Sequence, residues 1–114
     1  MDYYTGYEKR LGEGTPGHII YSYPSSLGID ILTADMPASL LGMTNGRRIM
    51  LNKDAGELKE FVIFHEEEHV KDMNASELEV DKRALERMKI SGKLTPIRER
   101  KINELMKKRW GRKL

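Results

Sequence analysis

The chain has no cysteine among its 114 residues, so disulfides, iron–sulfur clusters and thiolate zinc sites are excluded, and any bound metal must be held by His, Asp or Glu. Histidine is itself scarce, with three in all. Long apolar runs are missing too: none approaches the roughly 18 residues needed to span a bilayer, and Met1 to Arg10 lacks the basic-then-apolar layout of a secretory leader. The expectation is a soluble, cytoplasmic protein with no membrane partner.

What is present is charge. Lys, Arg, Asp and Glu make up 33% of the residues, above the roughly 25% usual for soluble domains, and 114 residues suit one compact core. The net charge of +2 is unevenly spread: residues 93–114 hold nine Lys/Arg against two Glu, net +7, and residues 1–92 hold eleven against sixteen, net −5. The expected division is a body, 1–92, carrying a basic helical tail, 93–114, within the same compact unit.

The first half is punctuated by glycine and proline, which limits helices there. His18 to Tyr23, Ile29 to Thr33 and Arg47 to Asn52 carry β-branched and aromatic or apolar residues between turn signals, the last following a turn at Asn45-Gly46. Three strands are predicted. From Asp54, a plausible N-cap with Glu57 three residues on, a helical pattern runs to Met73. A second helix is expected from a capping box of Ser76 and Glu79 to about Ile90, and a third from Thr95-Pro96 to a stop at Gly111, with Ile102, Leu105, Met106 and Trp110 on its apolar face. The predicted class is α+β: a small twisted three-stranded sheet on two consecutive helices, plus a C-terminal helix.

The first helix carries His65-Glu66-Glu67-Glu68-His69, the HExxH pattern. Residues four apart on a helix project from one face, so the two imidazoles can reach a single ion. Glu66, about a quarter turn away, misses that ion but can reach a water beside it and act as base. Glu67 and Glu68 are read as solvated. A bland alternative, an acidic surface helix that happens to carry two histidines, is weakened by the apolar turns before the motif.

Catalytic zinc usually takes three protein ligands. A third histidine as in the metzincins is ruled out, because Asp72 and Ala75 stand where Gly and His would be needed. His18 and Glu79 are possible, but Glu77 is the better candidate: a returning second helix would set its first turn level with His69. Asp81, four residues later on the same face, is placed to accept a hydrogen bond from a ligand histidine.

HEEEH followed by Glu77-Leu78-Glu79-Val80-Asp81 resembles the gluzincin metallopeptidases, and the order of a Gly-rich turn, strand, HExxH helix and E-x-x-x-D helix over residues 45–85 looks similar to the catalytic domains of HtpX-like and CAAX-prenyl-protease-like membrane peptidases. Without their membrane helices, the chain looks most like the minigluzincins. The resemblance implies a zincin-like catalytic domain with His65, His69 and Glu77 as Zn2+ ligands, Glu66 as general base and acid, and Asp81 behind the ligands. It implies a peptide or protein substrate bound beside an edge strand, here Arg47, Arg48, Ile49, Met50 and Leu51, and a zymogen held latent by its C-terminal segment.

The reaction expected is peptide hydrolysis, in which zinc activates a water while Glu66 takes its proton and passes it to the leaving amine. Tyr21, Tyr23, His18 or Arg87 would steady the oxyanion. The basic tail would dock on the acidic body, in cis or by exchange with a second copy, and its deletion would raise activity. The rival function is a nucleic-acid-binding or interaction module with a structural or absent metal, resting on Lys107, Lys108, Arg109, Arg112 and Lys113. A nucleic-acid partner is the less expected of the two.

Overall fold

A computed structural model describes residues 19–25 and 27–114. Its elements run β1 (Ile19–Pro24), β2 (Asp30–Ala34), β3 (Gly42–Thr44), β4 (Ile49–Asn52), a single 3-10 turn (Gly56–Leu58), α1 (Lys59–Lys71), α2 (Glu77–Ile90) and α3 (Pro96–Trp110). The class is α+β, as expected. The three predicted strands are β1, β2 and β4, and a short β3 joins them in a four-stranded sheet of order β1-β2-β4-β3.

β1 and β3 pair antiparallel with their neighbours, whereas β2 and β4 run parallel. The turn at 45–48 is built by Asn45, whose Oδ1 accepts from the amides of Arg47 and Arg48, and by Gly46 at φ +93°, a conformation that favours glycine. This turn joins β3 to β4, so β4 lies inside the sheet and not at its edge. Both its flanks are occupied, and Ile49, Met50, Leu51 and Asn52 are all buried. An unbroken apolar run is the mark of a strand covered on both faces.

Asn52 has a further task. Its Nδ2 donates to the carbonyl of Leu40 at 2.9 Å and lies within reach of those of Pro37 and Met36, so one buried amide fixes the loop 36–40 that leads into β3.

The helix expected to open at Asp54 opens otherwise. Asp54 is exposed, and the chain passes through Gly56 at φ +58° into the 3-10 turn, with no side-chain cap before α1. α1 is then buried without a break from Phe61 to His69. Val62 and Ile63 pack with Ile31, Ile49 and Leu51 of the sheet, while Phe61 and Phe64 pack with Ala84, Leu85 and Met88 of α2 and Ile102 and Met106 of α3. The helix bearing the motif is the central element of the fold.

α2 and α3 start as the sequence indicates. Ser76 Oγ accepts from the Glu79 amide at 3.1 Å and Thr95 Oγ1 from the Arg98 amide at 3.3 Å, with Pro96 in the first turn of α3. α3 docks on its own chain: Ile102 and Met106 are fully buried, and Lys93 and Arg98 pair with Glu60 and Glu57. Among the described residues, no helix is long and apolar enough to cross a membrane.

Candidate metal centre

His65 and His69 project one turn apart from α1, with ring centroids 4.8 Å apart. The reversal through 72–76 brings the first turn of α2 beside them. Glu77 places one carboxylate oxygen 3.1 Å from His65 Nε2 and the other 3.0 Å from His69 Nε2. One ligand atom from each of the three residues lies within 4.8 Å of the others, so His65, His69 and Glu77 could hold a metal ion. The His–Glu separations are close to the roughly 3.3 Å expected for two ligands about 2.0 Å from one tetrahedral ion. Glu79, the other carboxylate weighed for this place, turns away to Arg83. His18 lies outside the described residues.

Polar contacts hold the cluster together. His65 Nδ1 is 2.7 Å from Asp81 Oδ1, which leaves Nε2 turned toward Glu77. His69 Nε2 is buried and, despite its 3.0 Å approach to Glu77, makes no hydrogen bond. The 3.0 Å separation is short enough for electrostatic attraction between the two groups, and the same spacing would allow both to reach one ion. A buried nitrogen without a partner costs stability unless something satisfies it.

Electrostatics without an ion reflect the same crowding. Burial pulls the His65 imidazole down, but hydrogen bonds to Asp81 and Glu77 outweigh it and raise its pKa to about 9. The two histidines hold Glu77 well below the usual carboxylate range. Asp81 is also held low, since the bond from His65 and the charge of Arg109 overcome its burial.

Glu66 stands beside the cluster, 3% exposed, with Oε1 buried and unpartnered. Burial pushes its pKa up to about 7, against the pull of the two histidines. It faces a cavity of about 570 Å³ bounded by the loop 38–41 and Gly42 on one side, by Phe61, Val62, His65 and Glu66 on another, and by Leu105, Lys108 and Arg109 of α3. Glu77 remains 40% exposed, which keeps the cluster open toward solvent.

Gly42 makes this closeness possible. A Cβ there would lie 2.6 Å from Val62 Cγ1, 3.1 Å from the Met50 carbonyl oxygen and 3.5 Å from Glu66 Cγ. Only glycine lets β3 lie so near the helix.

Several expected roles need correction. Arg47 and Arg48 are exposed residues of the turn, and Ile49, Met50 and Leu51 belong to an interior strand with no free edge, so none of the five can pair with an added strand. Among the described residues, β3 is the sheet edge next to Glu66. Glu67 and Glu68 are not solvated: at 0% and 4% exposure they are bound by Arg87, with distances of 2.8 and 3.1 Å, because α1 has no face left for water. Arg87 also lies 4.2 Å over the Phe64 ring and does not line the cavity, which removes it as an oxyanion donor. Tyr21 and Tyr23 have side chains outside the described residues. Sequence reasoning gave no role at the site to Gly42, Arg109 or Trp110. A glycine followed by two strand-compatible residues before Asn45-Gly46 was the available hint for the first, and the other two had none.

No family model matches the chain, and no curated protein and no solved structure does so either.

Proposed function

We propose that the chain is a zinc-dependent metallopeptidase of the minigluzincin kind, hydrolysing a peptide that lies extended along β3. The observation that carries the reading is the convergence of His65, His69 and Glu77 beside the unpartnered, buried carboxylate of Glu66 at the wall of an open cleft. A set of two imidazoles and one carboxylate, without thiolates, suits zinc in a catalytic site and leaves a position open for water. Bound there, zinc would supply Lewis acidity and make a water acidic enough to lose its proton near neutral pH.

The remaining work falls to the chain's own residues. Glu66 takes the proton from the attacking water and returns it to the leaving amine. Asp81 holds His65 by Nδ1 and thereby selects Nε2 for the ligand role. Among the described residues nothing pairs with the outer edge of β3, which leaves it for an added strand. Gly42 sets that edge against Glu66. Latency enters this proposal as restricted access, because Leu105, Lys108 and Arg109 of α3 form one wall of the cleft.

The interaction-module reading rests on Lys107, Lys108, Arg109, Arg112 and Lys113, and one of these, Arg109, is already paired with Asp81. The test is zinc content and chelator-sensitive peptide cleavage in wild type and in Glu66→Gln. The variant is expected to keep its zinc and lose activity by about 10²–10⁴-fold, the usual worth of a general base. Wild type that takes up no zinc, or a Glu66→Gln variant as active as wild type, would overturn the proposal.

A further inference from the structure

Asp81 is fully buried, and among the described residues its polar contacts come from two directions. From α1, His65 Nδ1 approaches Oδ1 at 2.7 Å. From the last turn of α3, Arg109 Nη1 donates to Oδ1 and Oδ2 at 2.8 and 2.9 Å, and Trp110 Nε1 donates to Oδ2 at 2.9 Å. We propose that Arg109 and Trp110 are positioning residues of the metal centre, acting through Asp81 to set the ring of His65.

The argument is one of rotational freedom. A carboxylate bonded to a histidine alone can turn about its own axis, present either oxygen, and let the imidazole ring swing with it. Here the Trp110 N–H occupies Oδ2, and Arg109 bridges both oxygens. Oδ1 is therefore the oxygen left for His65, in a fixed plane. With Nδ1 held, the opposite nitrogen of a rigid ring has one direction, and that direction is toward Glu77 at 3.1 Å. Side chains from three helices thus determine where one ligand nitrogen lies.

An ordinary packing ion pair is the competing account, and the other contacts of the tail show what that looks like. Arg98 with Glu57 and Lys93 with Glu60 join partly exposed groups far from the ligands, and such pairs contribute little. Arg109 and Trp110 instead spend their donors on one buried carboxylate that touches a ligand.

This inference rests on the proposed metal site, so its experiment reads the ion directly. Full-length wild type, Arg109→Lys, Trp110→Phe and Arg98→Gln are titrated with Co2+, following the visible absorption of the bound ion, and the unfolding midpoint of each metal-free protein is measured alongside. Trp110→Phe keeps a ring in the same packing and removes only the N–H; Arg109→Lys keeps the charge but replaces the planar guanidinium, whose Nη1 bridges both oxygens, with a shorter, freely rotating ammonium. Both are expected to lower Co2+ affinity about 10–100-fold, the usual effect of losing such support, and to shift the absorption bands. Arg98→Gln should leave affinity and spectrum as in wild type. Wild-type affinity and spectrum in both variants would overturn the inference alone. So would losses that merely follow the unfolding midpoints across all three. A wild-type chain that binds neither Co2+ nor Zn2+ would overturn the metal site and this inference together.

Discussion

Gly42→Ala should be among the most damaging single-methyl changes in this chain, and the damage should depend on one neighbour. The added Cβ would meet Val62 Cγ1 at 2.6 Å, a separation that packed carbon atoms do not tolerate, with the Met50 carbonyl oxygen behind it at 3.1 Å. The oxygen belongs to the partner strand and cannot retreat, so relief must come from moving β3 off α1. Overpacking of this kind costs about 1–3 kcal/mol. Val62→Ala alone removes two buried methyl-sized groups, about 1.6 kcal/mol at about 0.8 kcal/mol each, plus a cavity contribution. If the sites were independent, the double variant would lose the sum. Since Val62→Ala deletes the atom that the new methyl strikes hardest, the double variant should instead unfold nearer to Val62→Ala alone than to the sum, the remainder set by the Met50 oxygen at 3.1 Å, a coupling of roughly 1–3 kcal/mol. Urea unfolding of the four proteins measures it. Because Glu66 Cγ sits 3.5 Å from the same point, peptidase activity should fall in Gly42→Ala and recover in part in the double variant. Additive stabilities, within about 0.5 kcal/mol, would refute the claim that contact between β3 and α1 is limited by this one side chain.

Three further outcomes follow from the structure. Arg87→Ala removes the guanidinium that binds both buried carboxylates and leaves Glu68 its Lys71 partner at 3.0 Å, so it should cost about 3 kcal/mol in denaturant unfolding, the low end for breaking a buried pair, with zinc stoichiometry in the folded protein unchanged. Zinc affinity should rise with pH through the neutral range toward about 9, because the raised pKa of metal-free His65 keeps it protonated there and the ion must displace that proton; a calorimetric titration in buffers of differing ionisation enthalpy should find proton release, and none at pH 7 would contradict the protonated state assigned to metal-free His65. Removing residues 93–114 takes Ile102 and Met106 from the core and Arg109 and Trp110 from Asp81, so the truncated chain should lose cooperative unfolding and metal affinity. That reverses the gain in activity expected from charge alone; a folded, more active truncation would refute it.

The histidine pair and its carboxylate were legible because a helix repeats: spacing of one and four residues fixes relative direction wherever the helix lies. Glu77 and Asp81 were reachable by the same rule, once Ser76 marked the start of a returning helix. Contacts that depend on what one element meets in another were not legible. The burial of Glu67 and Glu68 is set by Arg87, on another helix, and the fixing of Asp81 by Arg109 and Trp110, nearly thirty positions later. β3 escaped because three residues carry no periodicity, and without β3 the interior β4 looked like an edge. Its unbroken Ile49-Met50-Leu51 run was the contrary sign, since a one-faced edge strand alternates.

Anomalous diffraction at the zinc absorption edge, from crystals of the full-length protein grown with zinc, tests the central claim most directly. The account predicts one strong peak per chain, about 2.0–2.2 Å from His65 Nε2, His69 Nε2 and a Glu77 carboxylate oxygen, with Glu66 outside the coordination sphere. No peak between those residues, or one bound by Glu66 in place of Glu77, would contradict it.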